Sequence, residues 1–387
     1  MKKNLCLAAL AVLTLTGCGS NSTSTTGTST TGTSTTGTST ATTNLKIAML
    51  TDAGSVTDGS YNQTTWEAIQ AYKADNSDKV SEVKYYRPAK SDTSAFEDAI
   101  QQAVVAGFNT IVCPGYYFAE AFENVADNYP TVNFIGLDFT TATTHKNVSC
   151  ISFKENESGV LAGYAAVVDG YRKLGFFGGM AQPAPIRYGL GYIYGAYYAA
   201  HELGLKDFSI DPSYVTYAGS YLADSKFNAT GTAWYDAGVE VIFTAAGGAG
   251  DSIIAVSDAD KGHMIIGVDT DESGKKTSVI TSATKGLKSA IYIECNKILD
   301  NTFTGGASSL GIKEDCCDIV LGDTARFKNT DTVTKVKSFM STLKAGTVTV
   351  PSYSDTDTSL ADFKTALTAL GYEASDALVN AIKGDTK

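Results

Sequence analysis

Histidine is scarce in this chain: His145, His201 and His263 are the full set among 387 residues, and they are scattered without ligand spacing, so a histidine-built metal centre is not expected. No DxDxDG loop offers a calcium site. Gly-x-Ser-x-Gly and Walker A patterns are absent too, which removes the usual sequence signatures of a serine hydrolase and of a phosphate-cradling NTPase. No cofactor and no metal are expected. Basic residues are in the minority, with 30 Lys and Arg against 41 Asp and Glu and a formal charge of −11. That balance argues against nucleic acid as a partner. Cysteine is sparse and unpatterned: no CxxC spacing occurs, and Cys113, Cys150, Cys295, Cys316 and Cys317 form an odd set after Cys18. They read as small buried hydrophobes, with a vicinal disulfide at Cys316-Cys317 as the one unusual alternative.

Long apolar runs are also missing, and the nearest approach to one lies at the start. Leu5 to Leu15, preceded by Lys2 and Lys3, is too short and too early to span a bilayer as a mature helix. It reads as a cleaved export signal. Leu15-Thr16-Gly17-Cys18 fits a bacterial lipobox, in which the Cys18 thiol receives a diacylglyceryl group and becomes the new N-terminus; two acyl chains anchor a protein stably. From Gly19 to Asn44 the chain repeats threonine, serine and glycine with no large apolar side chain, so nothing offsets the entropy lost on ordering. Such a tether has an r.m.s. span of roughly 25 to 30 Å. The expected layout is a signal peptide over 1–18, a tether over 19–44, and a globular part at the extracytoplasmic face of the cell membrane. Loss of the signal removes two lysines, which deepens the net charge to −13.

The 343 residues after Asn44 exceed what one compact core usually accommodates, so two lobes are expected. Continuous apolar runs of strand length recur at Leu45 to Leu50, Thr110 to Cys113, Asn133 to Leu137, Cys150 to Phe153, Lys173 to Phe177, Val239 to Phe243 and Met264 to Val268. Segments of helical period separate most of them, at Asn62 to Tyr72, Phe96 to Val105, Phe118 to Ala126 and Pro185 to Leu203. Alternation of this kind predicts an α/β fold of two doubly wound parallel-sheet lobes. A small ligand would lie in the cleft facing the carboxyl ends of the strands. Three aspartates fall at or just past such ends: Asp52, Asp138 and Asp269.

The segment Leu50-Thr51-Asp52-Ala53-Gly54, with Asp58-Gly59-Ser60-Tyr61-Asn62-Gln63 and Trp66-Glu67, resembles the opening motif of the basic membrane protein family, lipid-anchored substrate-binding proteins of ABC importers for purine nucleosides. Further blocks extend the resemblance through most of the chain: Asn133 to Asp138, Phe153-Lys154-Glu155 with Leu161 to Tyr164, Gly175 to Gly179, Gly267 to Asp271, Thr281-Ser282 with Lys285, and the late Gly346 with Val350-Pro351. It implies a hinged, type I periplasmic-binding fold that closes on a nucleoside. Lobe 1 would comprise 45–156 plus about 286–317, and lobe 2 would comprise 157–285 plus about 318–387. Crossings between them are expected near Phe153-Glu157, Ser282-Lys288 and Asp315-Asp318.

The same resemblance implies residue roles. Tyr61, where phenylalanine is usual, would stack on the base, and Tyr221 in Gly219-Ser220-Tyr221 with Asp224 would supply the second ring; Tyr188 and Trp234 are the other candidates. Aromatic partners suit a flat purine, each contributing on the order of 1 to 3 kcal/mol. Asp269 with Lys285 would take the ribose hydroxyls, Asp52 and Asn62 the base or glycosidic region, and Asp138 a base N–H. Gly247, in Gly247-Gly248-Ala249-Gly250, occupies the place where the family lets backbone approach the ligand; a helix-start turn is the plainer reading of that cluster. Several carboxylates and a single lysine would repel phosphates, so neutral nucleosides are preferred over nucleotides. The expected partners are a purine nucleoside, ABC permease subunits and, through Cys18, the membrane; the protein is expected to be a monomer and not an enzyme. The rival readings are a lipid-anchored sensor, a binder of another small ligand such as a sugar, and a nucleoside hydrolase, which would call for a clustered acidic motif near the N-terminus.

Overall fold

The computed structural model describes residues 44–385 other than 53, 60 and 355–358. Cys18, the signal segment and all of the tether except Asn44 lie outside the described residues.

In chain order the strands are β1 (Leu45–Leu50), β2 (Val80–Tyr86), β3 (Thr110–Pro114), β4 (Asn133–Leu137), β5 (Val148–Phe153), β6 (Leu174–Gly178), β7 (Val215–Tyr217), β8 (Val241–Ala245), β9 (Met264–Asp269), β10 (Val279–Lys285), β11 (Gly306–Leu310) and β12 (Cys317–Ile319). The helices are α1 (Tyr61–Asp75), α2 (Thr93–Val105), α3 (Ala119–Val125), α4 (Glu155–Val168), α5 (Pro183–Glu202), α6 (Ser225–Asp236), α7 (Gly248–Val256), α8 (Leu287–Leu299), α9 (Thr332–Lys344), α10 (Ala361–Ala369) and α11 (Asp376–Lys383). Two six-stranded sheets result, ordered β11-β5-β4-β3-β1-β2 and β12-β10-β9-β8-β6-β7. Among the described residues, every pairing between these strands is parallel except β10 with β12. The two orders correspond position for position, so β1, β3, β4 and β5 of the first sheet match β6, β8, β9 and β10 of the second.

Each apolar run expected to be a strand is one, and all of those runs occupy interior positions of the sheets. The strands that sequence patterning missed are the polar ones. β2, β7, β11 and β12 lie at sheet edges, where one side is open and alternation or short length replaces a continuous apolar run. β10 (VITSATK) is interior yet polar, and it tolerates this because its buried hydroxyls are bonded. Thr281 Oγ1 donates to the Val320 carbonyl at 2.6 Å, and Ser282 Oγ accepts from the Glu272 amide at 3.0 Å.

Three passages join the lobes. After β5 the chain leaves the first sheet at Lys154 and enters α4, which packs on α5 and β10. After β10 it returns through Gly286 into α8, which lies on α1, where Tyr72 Oη donates to Asn296 Oδ1 at 2.9 Å. The third passage, 311–316, connects β11 to β12. The passages hold one another: the Lys154 amide donates to the Leu310 carbonyl and the Gly286 amide to the Cys316 carbonyl, both at 2.9 Å, while the Cys317 thiol lies 3.1 Å from the Lys154 carbonyl. Cys316 and Cys317, like the other cysteines among the described residues, are buried free thiols.

The second lobe is built on a backbone-to-backbone helix contact. A Cβ on Gly159 or Gly163 of α4 would stand 2.4 or 1.8 Å from the Tyr188 or Tyr192 carbonyl of α5. A Cβ on Gly191 or Gly195 would stand 2.2 or 2.0 Å from the Asn156 or Val160 carbonyl. Four glycines in two Gly-x-x-x-Gly pairs therefore set the spacing of these helices, and every residue of α4 except Glu157 is buried.

Candidate functional site

The carboxyl ends of the interior strands face the cleft between the lobes, and the side chains placed there follow from the topology. Asp138, immediately after β4, and Asp269, the last residue of β9, occupy matching positions in the two sheets, and both have left-handed backbone, with φ of 67° and 61°. An aspartate tolerates that region better than most residues, but it is strained for any side chain. Strain of this kind is held by surrounding structure and clusters at functional positions. At Asp269 the turn is tight, with the Thr270 amide bonded to the Val268 carbonyl at 2.6 Å.

Lys285 ends β10 one residue beyond Thr284, the partner of Asp269 in the ladder. Its side chain, 3% exposed, puts Nζ 2.7 Å from Asp138 Oδ2 of the opposite lobe, 3.2 Å from Glu155 Oε1 and 3.9 Å from Asp269 Oδ1. The rings of Phe153, Tyr61 and Tyr188 surround the same ammonium, with centroids 5.3, 5.4 and 5.8 Å away. Burial alone would drive this ammonium toward neutrality, but the charges of Asp138, Glu155 and Asp269 prevail and raise its pKa. Glu155, completely buried as the first residue of α4, also meets burial first; Lys285 and Arg187 outweigh it and lower its pKa. Arg187 Nε is 2.5 Å from Glu155 Oε2, a contact made possible by the close approach of α4 to α5. Asp269 goes the other way: burial raises its pKa, and Lys285 only partly opposes this. Tyr188 donates from Oη to Asp269 Oδ1 at 3.1 Å.

Asp52 and Asn62 form a second group on the first lobe. Asn62 Nδ2 donates to Asp52 Oδ1 at 2.9 Å and to Asp58 Oδ2 at 3.0 Å. Gly115, at the end of β3 with φ of 110°, lets Asp52 lie against the backbone, since a Cβ there would stand 2.8 Å from Asp52 Oδ2. Tyr61 opens α1 beside this group, and burial followed by the Asp138 charge raises the pKa of its phenol. Yet the Tyr61 hydroxyl makes no hydrogen bond of good geometry, and neither do the buried Asp138 Oδ1 and Thr51 Oγ1. Buried polar atoms are nearly always partnered, so a ligand that offers a donor to Asp138 Oδ1 and a polar partner to the Tyr61 hydroxyl would complete this group.

Across the cleft, Tyr221 donates from Oη to Gln182 Oε1 at 2.9 Å, and burial is the main cause raising its pKa. Gly247, with φ of 52°, caps the start of α7, and the Ala249 amide bonds to the Tyr221 carbonyl at 3.1 Å. That glycine cluster is therefore both a helix start and the support of the Tyr221 loop. Trp234 is not in the cleft: it packs with Phe177 and Tyr214 in a core cluster of the second lobe.

Asp138, Asp269, Lys285 and Tyr61 thus come together around one point, Asp52 and Asn62 make an adjoining pair, and Tyr221 with Gly247 forms part of the opposite wall. Sequence reading assigned no role to Glu155 or Arg187 and ranked Tyr188 below Tyr221. Glu155 carried one readable signal, a carboxylate opening a helix whose following residues are almost entirely apolar or small. Arg187 carried none, because its partner is reached only through tertiary packing.

Two parallel α/β lobes joined by three passages, with polar side chains at the strand ends between them, define the type I periplasmic-binding fold. The profile of the family described as ABC transporter substrate-binding protein PnrA-like matches residues 45–353, and the chain belongs to that family. The membership expected from the motifs is borne out. A relative, the ABC transporter nucleoside-binding protein BmpA of Lactococcus lactis subsp. cremoris, is 31% identical over 246 residues, 62% of this chain and 63% of that protein's length. Basic membrane protein A1 of Borrelia garinii is 30% identical over 278 residues, covering 70% of this chain and 77% of its own. Among solved structures, an ABC transporter solute-binding protein from Aeropyrum pernix aligns over 87% of this chain and 99% of its own with a TM-score of 0.67 at 21% identity, which bears on the fold.

Proposed function

We propose that this chain is the extracytoplasmic binding component of an importer, anchored to the membrane through lipid on Cys18, and that it takes a purine nucleoside into the cleft and presents it to permease subunits. One observation carries the reading: Tyr61, Asp138, Asp269 and Lys285 converge from two lobes, with the Tyr61 hydroxyl and Asp138 Oδ1 buried and unsatisfied. A neutral heterocycle bearing vicinal hydroxyls complements such a set. The base offers N–H donors to Asp138 and a face to Tyr61, and the ribose offers O–H donors to Asp269. The name of the lactococcal relative points the same way. In the site, four carboxylates (Asp52, Asp138, Glu155 and Asp269) face two cations, Lys285 and Arg187, a balance that disfavours phosphorylated ligands. The ligand favours the closed arrangement because it contacts both lobes at once.

Calorimetric titration of the purified chain with inosine, guanosine, adenosine, pyrimidine nucleosides, free bases and ribose tests the reading. A purine nucleoside is expected to bind while its 5′-phosphate does not, and Tyr61→Ala is expected to weaken binding about tenfold or more, about 1.4 kcal/mol. Asp269→Ala should cost ribosides more than free bases. Absence of nucleoside binding, or preference for a sugar, would overturn the proposal, and release of free base during incubation would show a hydrolase instead.

A further inference from the structure

The family match ends at residue 353, and two more helices follow it, α10 and α11. They are packed onto the second lobe through Phe363, Leu367, Leu378 and Ile382. Between the two helices the segment is fastened by the Leu370 carbonyl, 2.9 Å from His201 Nδ1, and by Tyr372, whose hydroxyl donates to the Leu205 carbonyl at 2.8 Å. The far end of α11 reaches the carboxyl end of β7. Its Ile382 carbonyl accepts from the Tyr217 hydroxyl at 2.5 Å. Gly384, with φ of 77°, lies so close to Ala181 that a Cβ would stand 2.4 Å from the alanine methyl. Ala181 immediately precedes Gln182, the acceptor of the Tyr221 hydroxyl.

Tyr217 and Tyr221 also rest on consecutive glycines at the end of β6. A Cβ on Gly178 would stand 2.4 Å from the Tyr217 ring, and one on Gly179 would stand 2.4 Å from the Tyr221 ring. The Ala218 and Gly219 amides bond to the Gly178 and Gly179 carbonyls, both at 2.8 Å. Beyond Gly219 the loop carrying Tyr221 has no regular structure until α6. A loop of this kind takes its conformation from what is pressed against it.

We propose that α11 is a positioning element for the ligand cleft: by holding Tyr217 and Ala181 it fixes the two loops that carry Gln182 and Tyr221, and so sets the Tyr221 ring before ligand arrives. Ordering that ring in advance removes part of the cost of binding. The inference rests on the proposed function only in treating Tyr221 as a ligand-facing side chain.

Two variants test it, Tyr217→Phe, which removes one hydroxyl and keeps the ring, and the chain ending at Gly371, which lacks α11. The readouts are the 19F resonance of 3-fluorotyrosine at position 221 without ligand, and nucleoside affinity measured with and without Tyr221→Ala. The resonance is expected to shift or broaden in both variants. Affinity is expected to fall about threefold in Tyr217→Phe and about tenfold in the shortened chain, with less than about a twofold further loss once Tyr221 is alanine, because coupled residues are non-additive. An unmoved resonance in folded Tyr217→Phe, or losses that add fully to that of Tyr221→Ala, would overturn the proposal. If the shortened chain does not fold by circular dichroism, Tyr217→Phe decides. If no nucleoside binds the wild-type chain, the functional reading fails while the ligand-free resonance still decides this one.

Discussion

At the scale of single residues, the site depends on one buried cation. Among the described residues, Lys285 contacts Asp138, Asp269 and Glu155 together, and it shares Glu155 with Arg187. Lys285→Met should therefore destabilise the chain by about 3 to 5 kcal/mol, the usual result of leaving buried charge uncompensated. The deficit relative to wild type, read as the difference in melting temperature, should narrow as pH falls and the stranded carboxylates protonate. His145 gives a second titration, away from the cleft. Its Nδ1 lies 2.9 Å from Asp127 Oδ1 and its Nε2 3.0 Å from Thr143 Oγ1 and 3.5 Å from Glu123 Oε2. The hydrogen bond to Asp127 raises its pKa from an ordinary 6.5, burial opposes this, and the Asp127 and Glu123 charges reinforce it. A raised imidazolium stabilises fully below the unfolded value and ceases to do so as pH climbs through the folded one. The melting-temperature gap between wild type and His145→Gln should thus be widest below the ordinary imidazole value and close as pH rises through the higher folded one; a gap constant with pH would show that the imidazolium contributes nothing. Asp138 and Asp269 were legible as residues because each ends an apolar run. Their shared left-handed conformation was not, since nothing in the composition of a strand end encodes it.

At the scale of elements, legibility followed hydrophobic continuity. Interior strands such as β3, β4 and β8 stand out because both faces are covered, and each is buried along its entire length or nearly so. β10 was silent despite delivering Lys285, because hydroxyl side chains replace apolar ones and their hydrogen-bond partners lie 39 and 10 residues away. The α4–α5 contact was half legible: the glycines are visible in the sequence, but only the pairing of two such helices shows why no side chain fits. Gly163→Ala is expected to cost more than about 3 kcal/mol, beyond ordinary overpacking, since the added methyl meets a backbone carbonyl that no rotamer change can move. Thermal unfolding measures it, and a loss under about 1 kcal/mol would mean that the helices separate easily. The same separation would pull Arg187 from Glu155, so ligand affinity should fall along with stability.

At the scale of the whole molecule, two sheets of matching strand order place matching side chains on opposite sides of one cleft. The two-lobe division was legible from length and from the spacing of strands, because each lobe repeats the same alternation. That a strand, β11, completes the first sheet was not, for Gly306–Leu310 is a short edge strand of small residues, and only the family resemblance assigned about 286–317 to lobe 1. If ligand contacts both lobes, saturating nucleoside should reduce the radius of gyration seen by small-angle scattering, and Tyr61→Ala should require more ligand for the same change. No change at saturation would mean that the lobes do not move.

The glycine seam between α4 and α5 bears on that motion mechanically. Where backbone rests on backbone there is no slack to absorb torque, so in any closure of the cleft the second lobe would turn as a stiff lever. The passages at Lys154, Gly286 and 311–316 would then be its fulcrum, and Glu155 sits one residue from the first of them. A small displacement at that point would be multiplied with distance along α5.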